Sequence, residues 1–576
     1  MLLIKKAAFT FVIAILCFST PSTYANSSSI FSYQATAQPV WAKHGMVASQ
    51  EALATQVGVD ILKQGGNAVD AAVAVGFSLA VTLPRAGNLG GGGFMLVHLA
   101  KENKSIAIDY REMAPAKAHQ DIFLDTEGNP VSALSRSHGL AVGVPGTVMG
   151  MELALAQYGT MSMQQVIQPA IKLAQEGIIV TDDLARSLTG LQRRLSKWPS
   201  TAAVFYKENN VPYMAGERLI QTDLAATLKN IAEQGSKGFY EGETAEKIIA
   251  SIQQAGGVMS LNDLANYKAV ARQPIRGSYR GYQIISMPPP SSGGVHIIQM
   301  LNVLEQFPIA HYGHNTANTI HLMVEAMKRA YADRSEYLGD PDFYDVPLLQ
   351  LTDKQYAKQI AKSIRLAKAT PSNTIKPGLL LPYESDQTTH FSVVDQWGNA
   401  VSNTYTLNFS YGSGLVAQGT GVLLNNEMDD FSAKPGTPNG YGLIGGVANN
   451  VQAHKRPLSS MSPTIVMKDN APYLVTGSPG GSRIITTTLQ VIMNVIDHGL
   501  NIAEASIAPR IHHQWQPDYV RVERSLNQDS VSLLKSKGHD VRVKNAMGST
   551  QSIMVTEKGL YGASDPRRSG SAVGGY

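Results

Sequence analysis

The fold and the function of this chain are best approached from one stretch, Gln387-Thr388-Thr389-His390-Phe391-Ser392-Val393-Val394-Asp395. It alternates as a β-strand does, with Phe391 and Val393 on the same face. A turn leads to a second run, residues 400–407, so the two runs predict a β-hairpin. Its threonines have two interpretations. They are ordinary strand residues, since threonine is common in strands, or Thr388 is a nucleophile that acts once the bond before it is cut.

The composition describes a large globular protein. The chain has 576 residues, a net charge of +4 and 16% charged residues. Its length allows a large buried core, and its basic residues are scattered along the sequence, so nothing indicates a nucleic-acid partner. The 52 glycines exceed the average share of roughly 7%. They predict many tight turns and close backbone approaches, as in an enzyme whose site is built from loops.

Residues 1–25 have the pattern of a signal peptide. Lys5 and Lys6 supply positive charge, residues 7–18 form an apolar run too short to span a bilayer comfortably, and residues 23–25 form a small-residue cleavage site. An uncleaved membrane anchor is the alternative, which the serines and proline after the apolar run disfavour. We therefore expect a mature chain from about Asn26, periplasmic or secreted, with no later membrane span.

Metal and thiol chemistry are not indicated. Cys17 is the only cysteine and lies within the signal segment, so a mature chain would have no disulfide, thiolate metal site or cysteine nucleophile. His321 and Glu325 are one helical turn apart, but no second histidine completes a zinc-binding helix motif. The adjacent His512-His513 would point apart in an extended chain. We expect no metal and no cofactor.

Helical patterns dominate the chain before Thr388, and strand patterns dominate after it. A glycine run, Gly90–Gly93, lacks the Lys-Ser/Thr of a phosphate-binding loop and leads into a strand, so we interpret it as close backbone packing beneath a site. The overall pattern predicts an α+β fold with a two-layer sheet core flanked by helices. The predicted helices are 50–65, 67–79, 149–158, 163–176, 182–195, 221–235, 244–255, 316–337, 352–369, 484–496 and 503–508. The predicted strands are 94–99, 105–112, 389–395, 400–407, 421–424, 464–467, 473–476, 519–522, 540–543 and 552–555.

The chemistry of threonine explains why a cut before Thr388 would matter. A threonine hydroxyl is a weak nucleophile at neutral pH and needs a base beside it. A free α-amino group on the same residue can be that base, with an ordinary pKa of roughly 7.7–8.0. The bond between Gln387 and Thr388 would have to be broken to expose it. Proteins that work in this way are called N-terminal nucleophile hydrolases.

The residues around Thr388 resemble those of the γ-glutamyltranspeptidases, and the resemblance covers nearly the whole mature chain. It implies a four-layer αββα sandwich of the N-terminal nucleophile hydrolase type, with a large subunit of residues 26–387 and a small subunit of residues 388–576 forming one intertwined unit. The matching motifs are 66–71 (GNAVDA), 109–112 (DYRE), 387–392 (QTTHFS), 404–408 (TYTLN), 424–431 (LNNEMDDF), 455–464 (KRPLSSMSPT), 477–483 (GSPGGSR) and 565–567 (DPR).

The resemblance also implies a role for each catalytic residue. Thr388 would be the nucleophile both in self-cleavage and in acyl transfer. Thr406 would hydrogen-bond the Thr388 amino group or hydroxyl, and Thr404 would lie nearby and support processing. The backbone N–H groups of Gly480 and Gly481 would form the oxyanion hole. Alone, the two glycines read as an ordinary turn after a strand.

The remaining matches would bind the glutamyl group of the substrate. Its α-carboxylate would be held by Arg111, Ser459 and Ser460, because a guanidinium and two hydroxyls suit an anion. Its α-ammonium would be held by Asn408, Glu427 and Asp430. Some family members have Gln at position 427. Without the resemblance, Arg111 would read as half of a salt bridge, Ser459-Ser460 as a loop, and Asp430 as a helix cap or a calcium ligand.

Residues 435–446, rich in glycine, resemble the lid loop that covers the glutamyl pocket in some family members, with Tyr441 as its bulky cover. The expected substrates are glutathione and other γ-glutamyl amides, with water, amino acids or dipeptides as acceptors. Two alternatives remain. One is a glutaryl acylase of the same superfamily, which the retained ammonium-binding residues disfavour. The other is an uncleaved pseudoenzyme that serves as a binding protein.

Overall fold

The computed structural model describes residues 35–376, 388–434, 436, 439, 442–443 and 445–576. The signal segment, Gln387 and Tyr441 of our sequence predictions therefore lie outside the described residues. Within the described part of the chain no helix is long and apolar enough to cross a bilayer.

Residues Ala37–Tyr576 form one unit of mixed helix and strand. Its strands are β1 (Val40–Ala42), β2 (Met46–Ser49), β3 (Gly92–Leu99), β4 (Lys104–Tyr110), β5 (Ile178–Ile179), β6 (Arg218–Leu219), β7 (Val270–Arg272), β8 (Ile275–Tyr279), β9 (Tyr282–Ser286), β10 (Thr389–Val394), β11 (Ala400–Thr406), β12 (Val416–Ala417), β13 (Val422–Leu423), β14 (Thr464–Lys468), β15 (Ala471–Thr476), β16 (Ile511–His512), β17 (Val520–Glu523), β18 (Val541–Lys544), β19 (Gln551–Thr556), β20 (Gly559–Ser564) and β21 (Ala572–Gly575).

Its α-helices are α1 (Ala52–Lys63), α2 (Ala68–Thr82), α3 (Ser132–Arg136), α4 (Thr147–Tyr158), α5 (Met163–Glu176), α6 (Asp182–Gly190), α7 (Gln192–Leu195), α8 (Pro199–Phe205), α9 (Thr222–Gln234), α10 (Lys237–Tyr240), α11 (Gly242–Gln254), α12 (Leu261–Ala265), α13 (Gly293–Leu304), α14 (Ile309–Tyr312), α15 (Ala317–Tyr337), α16 (Leu348–Leu351), α17 (Lys354–Ser363), α18 (Arg483–Ile496), α19 (Ile502–Ile507) and α20 (Gln528–Ser536).

Two seven-stranded sheets form the centre of the fold. The first, sheet I, has the order β21-β2-β10-β11-β3-β4-β7, and the second, sheet II, has the order β1-β20-β19-β15-β14-β9-β8. An apolar layer that includes Phe94, Val394 and Ile465 lies between the two sheets. A second core joins the outer face of sheet I to the helices α1, α2, α4 and α5. A third joins sheet II to α13, α15 and α18. The order is therefore helix, sheet, sheet, helix, which confirms the α+β, four-layer prediction.

The hairpin predicted from the opening stretch lies in the middle of sheet I. Strand β10 pairs antiparallel with β11, and Thr389 is opposite Tyr405. Thr388 thus stands immediately before the first paired residue of a strand whose six residues are all buried. Sequence predicted the two faces correctly, because Phe391 and Val393 contact the helix-side core while Val394 belongs to the layer between the sheets.

The prediction that helical patterns dominate before Thr388 missed one part of the chain that consists of strands. Residues 270–286 form the three strands β7, β8 and β9. Gly277 interrupts the strand pattern of β8 because a Cβ there would come within 2.6 Å of Ile298 on α13. Helix α13 was also missed, since its first turn is Gly293-Gly294. Two predicted helices differ in length: residues 182–195 divide into α6 and α7, and the helix predicted over 352–369 ends at Ser363.

Candidate active site

A small pocket opens where β10 begins and β11 ends. Its volume is about 270 Å³. Nine of the sequence-predicted residues come together around it, although they are spread over some 370 positions of the chain. The residues that line it are Arg111, Thr388, Thr406, Asn408, Glu427, Asp430, Leu443, Ser459, Ser460, Met461, Gly481 and Ile484.

The hydroxyl of Thr388 faces the hydroxyl of Thr406. The two Oγ1 atoms are 3.4 Å apart, and both side chains are nearly buried. The backbone N–H of Asn408 donates to Thr406 Oγ1 over 2.9 Å, which fixes where that hydroxyl lies. Asn408 can make this bond because its φ of +75° turns the chain sharply at the end of β11. The geometry supports the predicted contact between Thr388 and Thr406.

Arg111 is completely buried at the opposite side of the pocket and carries two acidic partners. Its Nη1 pairs with Glu427 Oε1, and its Nη2 lies 2.5 Å from Asp430 Oδ2. Its Nε donates to the Pro457 carbonyl over 3.1 Å. Burial alone would lower the pKa of Arg111, and the neighbouring carboxylates raise it above its ordinary value. The salt-bridge interpretation of Arg111 is therefore correct, and it is compatible with a role in binding.

A loop from the other sheet presents Ser459 and Ser460 to the pocket. Ser459 N–H donates to the Pro290 carbonyl, and the Ser459 carbonyl accepts from both the N–H and the hydroxyl of Ser292. The buried Arg334 donates to Ser292 Oγ at 2.9 Å and to Ser460 Oγ at 3.3 Å. The proline-rich loop before α13 thus holds the serines in place.

Gly480 and Gly481 lie between β15 and the first turn of α18. Their φ angles of +133° and +55° are in the region that favours glycine. Within the described part of the chain neither N–H donates a hydrogen bond. The N-terminus of a 14-residue helix adds a partial positive charge at this point. This loop can therefore stabilise a developing negative charge, although only Gly481 lines the pocket itself.

Among the residues that the structure describes, no ordinary general base lies at the nucleophile. Among the described lining residues the titratable side chains are Arg111, Glu427 and Asp430, which pair with one another. His390 is nearby in sequence, but it is buried between the sheets, where its Nδ1 is 2.8 Å from Thr404 Oγ1 and its Nε2 is 3.2 Å from Ser392 Oγ. Burial lowers the pKa of His390 to about 3, so its ring is neutral. The α-amino group that a cut before Thr388 would expose is a candidate for the base.

The structure places some predicted residues away from the pocket. Thr404 does not line it and contacts His390 instead, because it lies opposite His390 in the β10–β11 ladder. Leu443, Met461 and Ile484 line the pocket but were not predicted, since single apolar residues give no sequence signal for a site. Glu112, next to Arg111 in the DYRE motif, is a buried carboxylate near the site for which the sequence predicted no role.

The structure supplies the second histidine that the sequence did not show near His321. His539 Nε2 lies 2.8 Å from His321 Nδ1, and the ligand atoms of these two residues and Glu325 all fall within 4.8 Å. Each group already has a protein partner. His321 Nε2 donates to the Arg365 carbonyl, and Glu325 accepts from Thr370 N–H and Arg329. The cluster is satisfied without an ion, and two cations beside Glu325 oppose one.

Comparison with known proteins agrees with the geometry. The family model for gamma-glutamyltranspeptidase matches residues 54–575. The chain is 57% identical to the glutathione hydrolase proenzyme of Escherichia coli (strain K12), over 100% of this chain and 99% of that protein. It is 37% identical to the acylase ACY 1 proenzyme of Pseudomonas sp. (strain V22), over 93% and 94% of the two chains. The crystal structure of cephalosporin acylase from Bacillus halodurans superposes with a TM-score of 0.82 at 30% identity and covers 95% of this chain and 98% of that one. The chain therefore belongs to the γ-glutamyltranspeptidase family.

Proposed function

We propose that this protein is a self-processing γ-glutamyl hydrolase and transferase that uses Thr388 as its nucleophile. The observation that carries the proposal is the pocket itself. It places the Thr388 hydroxyl, a glycine loop at a helix N-terminus and a set of charged groups suited to an amino acid around one small volume. The name of the E. coli relative, glutathione hydrolase proenzyme, supports glutathione as a substrate and a precursor that is cut.

The first step is cleavage between Gln387 and Thr388, which converts an amide nitrogen into an amine. The large piece would end at Gln387 and the small piece would begin at Thr388. Thr406 Oγ1, 3.4 Å from Thr388 Oγ1, would hold the hydroxyl for both self-cleavage and catalysis. We assign Thr404 to processing through His390, because Thr404 contacts that ring rather than the pocket.

The amine of Thr388 then takes the proton from its own hydroxyl as Oγ1 attacks the γ-carbonyl carbon of the substrate. The tetrahedral oxyanion is stabilised by the N–H groups of Gly480 and Gly481, each worth about 3–4 kcal/mol in comparable sites. The C–N bond breaks, and the leaving amine takes the proton. Glutathione would release cysteinylglycine and leave a γ-glutamyl ester on Thr388. Water returns glutamate, or an amino acid or peptide amine gives a new γ-glutamyl compound.

Binding of the glutamyl group would change the ion-pair partners of Arg111 and of the two acidic residues beside it. In the structure Arg111 is paired with Glu427 and Asp430. A substrate head with both an α-carboxylate and an α-ammonium can insert between them. Its carboxylate meets Arg111, Ser459 and Ser460, and its ammonium meets the acidic pair and Asn408. Every buried charge then keeps an opposite partner.

The same exchange argues against a glutaryl acylase, the function that the acylase relatives would suggest. A glutaryl group has the carboxylate but lacks the ammonium. Its carboxylate would take Arg111 away from Glu427 and Asp430 and leave both acids without a cation. Leaving one partner of a buried charge pair alone costs about 2–5 kcal/mol, so we expect a strong preference for γ-glutamyl substrates.

Residues 435–446 would act as the lid over this pocket, with Tyr441 as its cover. Leu443, which belongs to this segment, lines the pocket, and Asn439 Nδ2 donates to Asp430 Oδ1 over 3.3 Å. Both contacts connect the segment to the glutamyl site. We further propose export to the periplasm or the medium after removal of residues 1–25, and two subunits that remain associated.

Two measurements test the proposal. N-terminal sequencing of the smaller fragment must give Thr-Thr-His-Phe, and a single band near the precursor mass on a denaturing gel would contradict self-processing. The processed protein must release p-nitroaniline from the γ-glutamyl anilide much faster than from the glutaryl anilide. Equal rates, or a preference for glutaryl, would favour the acylase. Thr388→Ala is the control, since it should remain uncut and inactive.

A further inference from the structure

Arg334 is a buried cation that stands just behind the pocket. It lies near the end of α15, and only 4% of the residue is exposed. Among the described residues no carboxylate comes within ion-pair distance of its guanidinium. Its side-chain partners are two hydroxyls, Ser292 Oγ at 2.9 Å and Ser460 Oγ at 3.3 Å. A buried charge without an opposite charge is costly, and an anion that binds close by would offset that cost.

The acidic groups around Arg334 are engaged elsewhere. Asp430 acts on Arg334 only from beyond ion-pair distance, and its Oδ2 already pairs with Arg111 Nη2 at 2.5 Å. Asp333, the preceding residue, accepts from Gln299 Nε2 at 2.5 Å and from a tyrosine hydroxyl at 2.8 Å. Burial therefore lowers the pKa of Arg334 to about 10, which still leaves the guanidinium charged at neutral pH.

The hydrogen bonds around Ser459 and Ser460 fix the direction of their hydroxyl groups. Ser460 Oγ accepts from Arg334, and Ser459 Oγ accepts from the N–H of Met461 over 3.1 Å. Neither hydroxyl donates to a protein group in the part of the chain that the structure describes. Both residues line the pocket. Their O–H groups are therefore left to donate into it, and two such donors side by side suit a carboxylate.

One guanidinium positions both serines. Its Nε holds Ser292, whose hydroxyl donates to the Ser459 carbonyl over 2.8 Å, and its Nη2 holds Ser460 directly. The planar fork of an arginine can make both bonds at once, whereas a lysine presents a single nitrogen and cannot hold two hydroxyls in the same fixed geometry. A positive charge behind Ser460 also strengthens the bond that its O–H donates, because hydrogen bonds in a chain polarise one another. Arg334 can thus act on an anion in the pocket without touching it.

We propose that Arg334 is a positioning residue for the α-carboxylate of the γ-glutamyl group and that it supplies, through Ser460 and Ser292, a second positive charge for that carboxylate. The inference rests on the proposed γ-glutamyl function. The carboxylate contacts Arg111 and the two serine hydroxyls of the pocket, while Arg334 stays behind them. The substrate head is neutral as a whole: its ammonium is balanced by the acidic residues, and its carboxylate brings the negative charge that Arg334 lacks. No covalent bond changes in this step.

Two substrates separate this role from a purely structural one. The γ-glutamyl anilide carries the α-carboxylate, and its α-carboxamide analogue has a neutral amide at that position. Both keep the α-ammonium and the scissile anilide. For Arg334→Met we expect kcat/KM for the γ-glutamyl anilide to fall roughly 10- to 100-fold, mostly through KM. For the α-carboxamide it should fall less than about threefold. Where the α-carboxamide is cleaved too slowly, its Ki as a competitive inhibitor takes the place of kcat/KM.

Arg334→Lys keeps the charge and loses the fork, so its preference for the α-carboxylate should lie between that of the wild type and that of Arg334→Met. Ser460→Ala removes the link to the pocket, and adding Arg334→Met to it should cost the γ-glutamyl anilide little more. Arg194→Met is the matched control. Arg194 is another largely buried arginine whose pKa burial lowers to about 10, but it donates to the backbone carbonyls of Ser410 and Gly412. Its removal should leave the ratio between the two substrates as in the wild type.

Equal losses on the two substrates for Arg334→Met would overturn the inference, and so would losses that simply multiply in the double variant with Ser460→Ala. Two fragments on a denaturing gel verify that each variant has folded and been processed. If Arg334→Met stayed uncut, Arg334→Lys would carry the same comparison, and equal losses there would overturn the inference too. If the wild type failed to hydrolyse the γ-glutamyl anilide, the proposed function itself would fail. Normal turnover by the wild type, with a substrate ratio that no Arg334 variant changes, would remove only this inference.

Discussion

Gly92→Ala is the sharpest test of how the site is supported, because it adds one methyl group without touching the ligand. A Cβ at position 92 would lie 2.5 Å from the Tyr110 carbonyl oxygen and 2.7 Å from Glu112 Oε2. The first neighbour is backbone of the adjacent strand β4, so it cannot rotate away. The strand or the Glu112 side chain has to move by several tenths of an ångström.

The cost has two parts. Overpacking of this kind destabilises a protein by about 1–3 kcal/mol, which should lower the midpoint of thermal or denaturant unfolding. Displacement of Glu112 away from Arg111, whose Nη1 lies 3.6 Å from Glu112 Oε2, weakens their buried ion pair by about 1–2 kcal/mol. That corresponds to a rise of roughly five- to thirtyfold in KM for the γ-glutamyl donor. The kcat should fall as well, because Gly92 is paired with Thr406 in the β3–β11 ladder and the Thr406 hydroxyl faces that of Thr388.

Gly190→Ala is the matched control. Gly190 ends α6, its added Cβ would meet nothing within 4 Å, and its φ is not positive. The substitution should be neutral or slightly stabilising. Unfolding curves and KM for the anilide substrate are measured for both variants and the wild type. If Gly92→Ala matched Gly190→Ala in both quantities, the idea that Glu112 is held against the β3 backbone would be refuted.

Three other outcomes are expected. Thr388→Ser should still be processed and active, whereas Thr388→Ala should give a single precursor band and no turnover. Gly480→Ala should lower kcat by a factor of roughly 10²–10³, with a smaller change in KM, because a residue with a Cβ resists φ of +133° and the oxyanion donor moves. The raised pKa of Glu112 means that its burial favours the protonated form, so it lowers folding stability as pH rises from about 4.5, its ordinary pKa, to about 7. Urea unfolding of Glu112→Gln should therefore depend less on pH over that window than the wild type, and an unchanged slope would contradict the assignment.

The sequence predicted those parts of the fold that local patterns encode. The β10–β11 hairpin follows from strict alternation and a turn, and α2 follows from its cap, where Asn67 Oδ1 accepts from Val69 and Asp70 N–H as expected. Strands β8 and β9 were missed because their signal is weakened by Gly277 and by polar residues on the exposed face. Helix α13 was missed because it starts with two glycines. Tertiary packing requires glycine there, since a Cβ at Gly293 would come within 2.1 Å of Ser462 Oγ.

The site divides in the same way. Residues of the proposed site could be identified from motifs, and nine of them line the pocket. The residues that hold these site residues in place could not be identified from motifs. Arg334 reaches Ser460 across 126 positions, and Ser292 meets Ser459 across 167. Such pairs depend on how sheets I and II pack against each other, and the spacing of residues along the chain does not reveal that packing. The partner of Thr404 is a further example, since its contact with His390 depends on the register of the β10–β11 ladder.

The strand order has a consequence for the life of the processed protein. In sheet I, β10 and β11 are flanked by β2 on one side and by β3 and β4 on the other, and in sheet II, β20 to β14 are flanked by β1 and by β9 and β8. A cut before Thr388 would therefore yield two intertwined chains. Each of the two sheets would contain strands from both chains. Differently isotope-labelled batches of mature protein, mixed and incubated, should show no hybrid molecules by native mass spectrometry. The two subunits cut from one precursor would therefore stay together and would not exchange with those of other molecules.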